Sequence, residues 1–265
     1  LSPRGEVRGL IETAILQEQG LREIPKYQAI MRAIGGGCTE LNQIGQRAGL
    51  PVDTPLRDKV ERLIDLQYIT SSRNLGARGT APFRYRLADP AFAFYYEFVS
   101  RYETLLQRAG PGEVWRHAVA PRLETYMGHV FELIAEQTYI RLQKRRRLPP
   151  LREWSRWEGK VRDGQSLEID IAAPLMDGRV LTGAIKWNAK PLERKWHAHH
   201  LSSIDRLASS GVAWAHDAAR AEAPLLYVAA GGFTKEFIEA ACASRETVYL
   251  WSLPDVFAPA ESRQD

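Results

Sequence analysis

Residues 166–187 constrain the fold more than any other stretch of this sequence. Two runs that alternate apolar and polar residues flank Met176-Asp177-Gly178. An Asp-Gly pair between such runs is the strongest short-range signal of a β-hairpin, because both residues tolerate the positive φ of a tight turn. The strand period of two puts Glu168, Asp170 and Ala172 on one face of the first strand. It puts Ala184 and Lys186 on one face of the second. In register, Asp170 and Lys186 meet on one side of a sheet.

An acid on one strand followed by acid-x-Lys on the next is the core pattern of a metal-dependent phosphodiesterase. Here Ala184 occupies the middle acid position, so the pattern is incomplete. Glu168, two residues before Asp170, is the substitute that the alternation offers. The gap reflects either a natural loss or an introduced substitution.

The chain has 265 residues, 45% hydrophobic and 26% charged. That balance is globular, and the length allows one large domain or two small ones. No run of 18 apolar residues is present, so no membrane span is expected. The first residues carry no apolar signal segment, and Cys38 and Cys242 lack motif spacing, which fits a reduced, cytoplasmic setting. The chain begins at Leu1, the mark of an excised domain or a piece of something longer. A formal charge of +4 permits an acidic partner without demanding one.

Residues 6–19 have a helical apolar period. Residues 25–87 read as three short helices and a hairpin: 27–34, closed by Gly35-Gly36-Gly37; 40–48, preceded by Cys38 or Thr39; and 53–66, capped by Asp53 or Thr54. Strands at 68–70 and 83–87 enclose a glycine-rich loop. This succession is a winged helix-turn-helix. The third helix carries four acids against Arg57, Lys59 and Arg62, a poor match to DNA. The hairpin carries Arg73, Arg78, Arg84 and Arg86 with no acid before Asp89, which suits phosphate contact. A protein-docking role suits the acidic helix equally.

Asp89-Pro90 opens a helix over 91–106 whose aromatic stripe serves packing rather than base stacking. Residues 109–111 mark the boundary between a first domain, 1–110, and a second, 111–265. Residues 114–143 are mostly helical and carry Glu132. Lys144, Arg145, Arg146 and Arg147 follow, either a solvated helix end or a phosphate patch. Beyond them lie a strand at 154–158, the hairpin, a helix over 192–209 with His197, His199 and His200, a buried strand at 225–230, a helix at 233–243 and a strand at 248–252. Strands alternating with helices make an α/β unit with a mixed sheet. His197 and His200 share a helical face, but a solvated helix start near a phosphate explains them as well as a metal does. No repeat or low-complexity tract stands out.

Several short motifs occur in one order: Tyr27-x-x-Ile-Met-x-Ala-Ile-x-Gly, Leu63-x-x-Leu-x-Tyr-Ile, Tyr85-x-Leu-x-Asp-Pro, Phe92-x-Phe-Tyr, Gly128-x-x-Phe-Glu, Ile169-Asp-Ile and Lys186-Trp. In this the chain resembles the C-terminal part of archaeal-type AAA/STAND-like P-loop ATPases of prokaryotes. The resemblance implies a winged helix followed by a PD-(D/E)XK restriction-endonuclease-like domain, and an ATPase module in the same or another chain. Gly-x-x-x-x-Gly-Lys-Ser/Thr is absent, so no ATP site is expected in these residues. Carried over, Asp170 is the bridging Mg²⁺ ligand, Lys186 the catalytic lysine and Glu132 the acid from the preceding helix, with Glu168 a possible second ligand. The family's Gly-Glu-x-Lys-Trp stands here as Gly183-Ala-Ile-Lys-Trp, and Ile169 replaces its proline. The chain is therefore expected to bind DNA through Arg57, Lys59, Arg62, Arg73, Arg78, Arg84, Lys144, Arg145 and Arg146, beside a nuclease-like, degenerate domain. An active Mg²⁺-dependent DNA endonuclease and a protein-interaction module without DNA binding are the alternatives.

Overall fold

The computed structural model describes residues 6–18, 21–77, 79, 81–162 and 164–258. They form two compact units: Leu1–Arg73 with Thr80–Leu123, and Asn74–Gly79 with Glu124–Asp265. Together they make a mixed α/β chain with three small sheets, one of them a mixed sheet of four strands. No helix among the described residues is long and apolar enough to cross a membrane.

In the first unit, α1 (Glu6–Gln17), α2 (Ile24–Gly35), α3 (Leu41–Ala48) and α4 (Thr54–Asp65) precede the antiparallel pair β1 (Ile69–Ser72) and β2 (Arg84–Leu87). Local chemistry sets the helix ends. Gly36 and Gly37 turn their amides back onto the carbonyls of Arg32 and Ile34. The cap of α3 is Glu40, in a reciprocal capping box with Gln43, rather than Cys38 or Thr39. Asp53 caps α4 by accepting from the Leu56 amide at 3.1 Å. Ile30, Met31, Ile44, Leu56, Leu63 and Ile69 fill the core between these elements.

The helix expected at 91–106 is broken, and the mostly helical stretch 114–143 is made of several pieces. The first runs as α5 (Pro90–Phe94), a π turn Tyr95–Val99, a 3₁₀ turn Ser100–Tyr102 and α6 (Glu103–Ala109). The second repeats the order as α7 (Pro111–Val114), a π turn Trp115–Val119, a 3₁₀ turn Ala120–Arg122 and α8 (Leu123–Lys144). Pro121 has no amide to donate, so the ladder must shift around it. Arg-Tyr-Glu-Thr at 101–104 recurs as Arg-Leu-Glu-Thr at 122–125, so the two segments share a short sequence repeat as well as the order of turns. Tyr96 and Phe98 of the aromatic stripe are buried.

The second unit adds β3 (Trp157–Lys160), β4 (Ser166–Ile169), β5 (Ile171–Pro174), β6 (Val180–Lys186), α9 (Arg194–Ser209), α10 (Ala213–Ala218), β7 (Leu225–Ala229), α11 (Lys235–Ser244), β8 (Val248–Ser252) and α12 (Leu253–Phe257). The four-stranded sheet has the order β5-β6-β7-β8. β5 and β6 are antiparallel, and β6, β7 and β8 run parallel with helices in the crossovers. Gly178, at φ 91°, makes the hairpin turn. The early strand lies at 157–160 rather than 154–158.

The first strand of the hairpin is not continuous. β4 pairs with β3 in a separate sheet, while β5 pairs with β6. The chain bends at Asp170 because its two halves satisfy their backbone groups on different partners. Backbones crowd at Gly183, where a Cβ would lie 1.7 Å from the Leu226 carbonyl oxygen.

Candidate functional site

The register Ile171↔Gly183 and Ala172↔Thr182, continued one step, sets the bend at Asp170 opposite Ala184. The Asp170 carboxylate turns along β6. Its Oδ2 accepts from the Ile185 amide at 2.9 Å and from Lys186 Nζ at 2.7 Å. Asp170 is nearly buried, with its side chain 9% exposed, whereas the Lys186 side chain is 33% exposed. The Lys186 ammonium also lies 5.9 Å from the centre of the Trp196 ring on α9. This is a partly desolvated ion pair at the end of the four-stranded sheet, reachable from solvent through the lysine.

Glu168 goes elsewhere. It stands directly opposite Glu158 across the β3–β4 pair. Two like charges in that position repel, and Arg156 bridges them through Nη2. The regular alternation that would align Glu168 with Asp170 fails at the bend. Glu132 sits on α8 beside Phe131, which packs on the other face of the sheet from Ala184; its Oε1 lies 4.0 Å from His129 Nδ1. Among the described residues no group of three His, Cys, Asp or Glu is placed to hold a metal ion.

Two of the three histidines of α9 are not solvated. His197 and His200 are 4% and 5% exposed, while His199 faces out. His200 Nε2 shares a hydrogen bond of 3.1 Å with Thr182 Oγ1, and His197 Nδ1 one of 2.8 Å with the Tyr227 hydroxyl. Tyr227 is the register partner of Ala184. Burial pushes His200 down to about 3, and the nearby His197 and Arg245 add to the effect. Burial, with Arg245 and Arg194, also lowers His197. Both rings are therefore neutral at pH 7. The spacing 197, 200, 204 and 207 follows the helical period, and Ile204 and Leu207 are buried on the same face. That period was the signal that would have assigned both histidines to the interior.

The basic residues divide by environment. Arg57 and Arg62 are exposed on α4. Lys59 is held by Glu23 at 2.9 Å and lies over the Tyr27 ring. This partner raises its pKa against the opposing pull of desolvation. Arg73 stacks on Phe83 at 3.6 Å, Arg84 is half-buried on β2, and Arg78 lies outside the described residues. Lys144, Arg145 and Arg146 are exposed at the end of α8, with Arg146 in the left-handed region at φ 58°.

The described chain is thus a mixed α/β protein in which a nearly buried aspartate meets a lysine across a hairpin. Residues 95–199 match the model of the family DUF234, described as archaea bacterial proteins of unknown function. That span contains Glu132, Asp170, Ala184 and Lys186. No curated protein matches the chain.

Proposed function

We propose that this chain is a nucleic-acid-binding module with a degenerate nuclease-like unit, working in the cytoplasm as the C-terminal part or a homologue of a prokaryotic P-loop ATPase of the kind it resembles. On this reading the first unit is a winged helix-turn-helix, with α4 as its recognition helix and β1–β2 as its wing. The four-stranded sheet of the second unit is restriction-endonuclease-like. DNA contact falls to the exposed Arg57, Arg62, Lys144, Arg145 and Arg146.

One observation carries the degenerate reading: Asp170 Oδ2 is taken by Lys186 and the Ile185 amide, and the neighbouring acid position is Ala184. Mg²⁺ takes a near-octahedral set of oxygens, and these residues do not fit it: Glu168 is tied to Arg156. The ion pair instead contributes an anchored cation, Lys186, which is able to meet a phosphate without cleaving it.

Two measurements test this. Fluorescence anisotropy with a labelled duplex should give an affinity that falls steeply between 50 and 200 mM salt, roughly a thousandfold if about six phosphates are contacted. Duplex binding indifferent to salt, or a stable protein partner with no duplex binding, removes the DNA reading. Plasmid incubated with Mg²⁺ or Mn²⁺ should stay intact with the unaltered chain and be nicked by Ala184→Glu. Nicking by the unaltered chain that Asp170→Asn abolishes would establish an active endonuclease instead.

A further inference from the structure

We propose that the first unit binds a small organic anion, a negative group carried on a flat apolar ring, in the cavity between the start of α3, α4 and the β1–β2 hairpin. The cavity measures about 350 Å³ and is lined by Glu40, Asn42, Arg57, Arg73, Phe83 and Tyr85. That volume falls within the range of small-molecule sites, which pair an apolar lining with a few convergent polar groups.

The lining has both parts. Arg57 on α4 and Arg73 at the end of β1 bring two guanidinium groups to one space. The Arg73 guanidinium carbon stands over the Phe83 ring, 3.6 Å from its centre. Stacking fixes a guanidinium's plane and directs its N–H groups outward along its edges, the geometry that grips carboxylates and phosphates. Among the described lining residues one carboxylate, Glu40, stands against the two guanidinium groups. The Glu40 side chain accepts from the third amide of α3 in its capping box. Burial, with Glu61, raises the pKa of the Tyr85 hydroxyl and keeps it protonated, while Arg57 and Arg73 pull the other way. It is therefore a donor, and both arginines act on it.

A bare oxyanion does not match this space. One water takes about 30 Å³, so a single small ion leaves most of the cavity unfilled. The Phe83 and Tyr85 rings, 6.3 Å apart and inclined at 37°, with Pro82 alongside, provide the surface against which an aromatic or similarly flat body packs. The inference does not rest on the nucleic-acid reading, since every group it uses lies in the first unit and the occupant is a small molecule.

The test is an amide chemical-shift titration of the full chain by NMR, with benzoate as the probe and benzamide, acetate and inorganic phosphate as comparisons. No nucleic acid enters, so its outcome is separate from duplex binding. Benzoate should saturate in about the millimolar range expected of so small a probe, shifting the amides of Asn42, Phe83 and Tyr85. Benzamide, acetate and phosphate should each bind about tenfold more weakly. Arg57→Gln, at an exposed position that leaves folding intact, should weaken benzoate by about tenfold, and Arg57→Lys by less. Failure of benzoate to saturate, equal binding of any comparison molecule, or unchanged benzoate binding in Arg57→Gln overturns the proposal.

Discussion

The two faces of the four-stranded sheet solve the same problem with different chemistry. On one, Ile171, Ala173, Leu181, Ile185, Leu226 and Val228 meet Phe131, Ala135 and Tyr139 of α8 in an apolar contact. Its aromatic pairs, such as Phe131–Trp187 with ring centres 5.3 Å apart, add edge-to-face packing. On the other, Thr182 and Tyr227 point at His200 and His197 of α9, and Phe237 closes the aromatic group. An apolar face is stabilised by area and tolerates exchange of one side chain for another of like volume. A polar face is stabilised only while each buried atom keeps its partner. The Asp170–Lys186 pair lies at the end of this second face, two residues along β6 from Ala184. The chemistry of the candidate site thus continues a buried hydrogen-bonded layer.

Gly183→Ala breaks both faces at once. The added methyl meets the Leu226 backbone, which has nowhere to move, and the expected loss is about 4 kcal/mol or more. Urea unfolding reads it, and a near-native midpoint would mean that β6 and β7 do not approach so closely at Gly183. Phe131→Ala attacks the apolar face alone and should cost about 3–4 kcal/mol by leaving a cavity. If its cost equals that of an exposed substitution, α8 does not pack as described.

The polar face has a pH signature that the apolar face lacks. His200 has its pKa lowered to about 3, so the unfolded chain binds the proton first. Stability is then full above about pH 6.5 and falls as the pH drops towards 3, by about 1.4 kcal/mol per pH unit for one group. His200→Gln keeps a partner for Thr182 and removes the titration, so its stability curve should be flatter over that window. Identical slopes for the two proteins would show that His200 is not buried. The smallest effect is that of Tyr227→Phe. It leaves His197 Nδ1 without its partner and should cost about 1–2 kcal/mol, with no change in the acid slope due to His200.

Some of this architecture is written in local chemistry. Asp177-Gly178 and the alternation around it determine the hairpin turn, because few other residues accept that backbone. Asp53 and the glycines after Ile34 determine helix ends for the same reason. The meeting of Asp170 and Lys186 follows from the register that the turn imposes. Other features depend on groups distant in the chain. Glu168 and Asp170 share a parity in the sequence, yet β4 turns to β3 and β5 to β6, and only that choice of partners separates them. The helical period turns His197 and His200 inward, but their partners Thr182 and Tyr227 come from strands distant in the chain. The cavity by Arg57 brings together residues from 40 to 85, a juxtaposition that no spacing encodes. Turns, caps and register are short-range consequences of backbone sterics and hydrogen bonding, so a few neighbouring residues suffice to set them. Which charges a polar residue meets depends on the free energy of burial summed over partners far along the chain, and that sum exists only once the chain has folded.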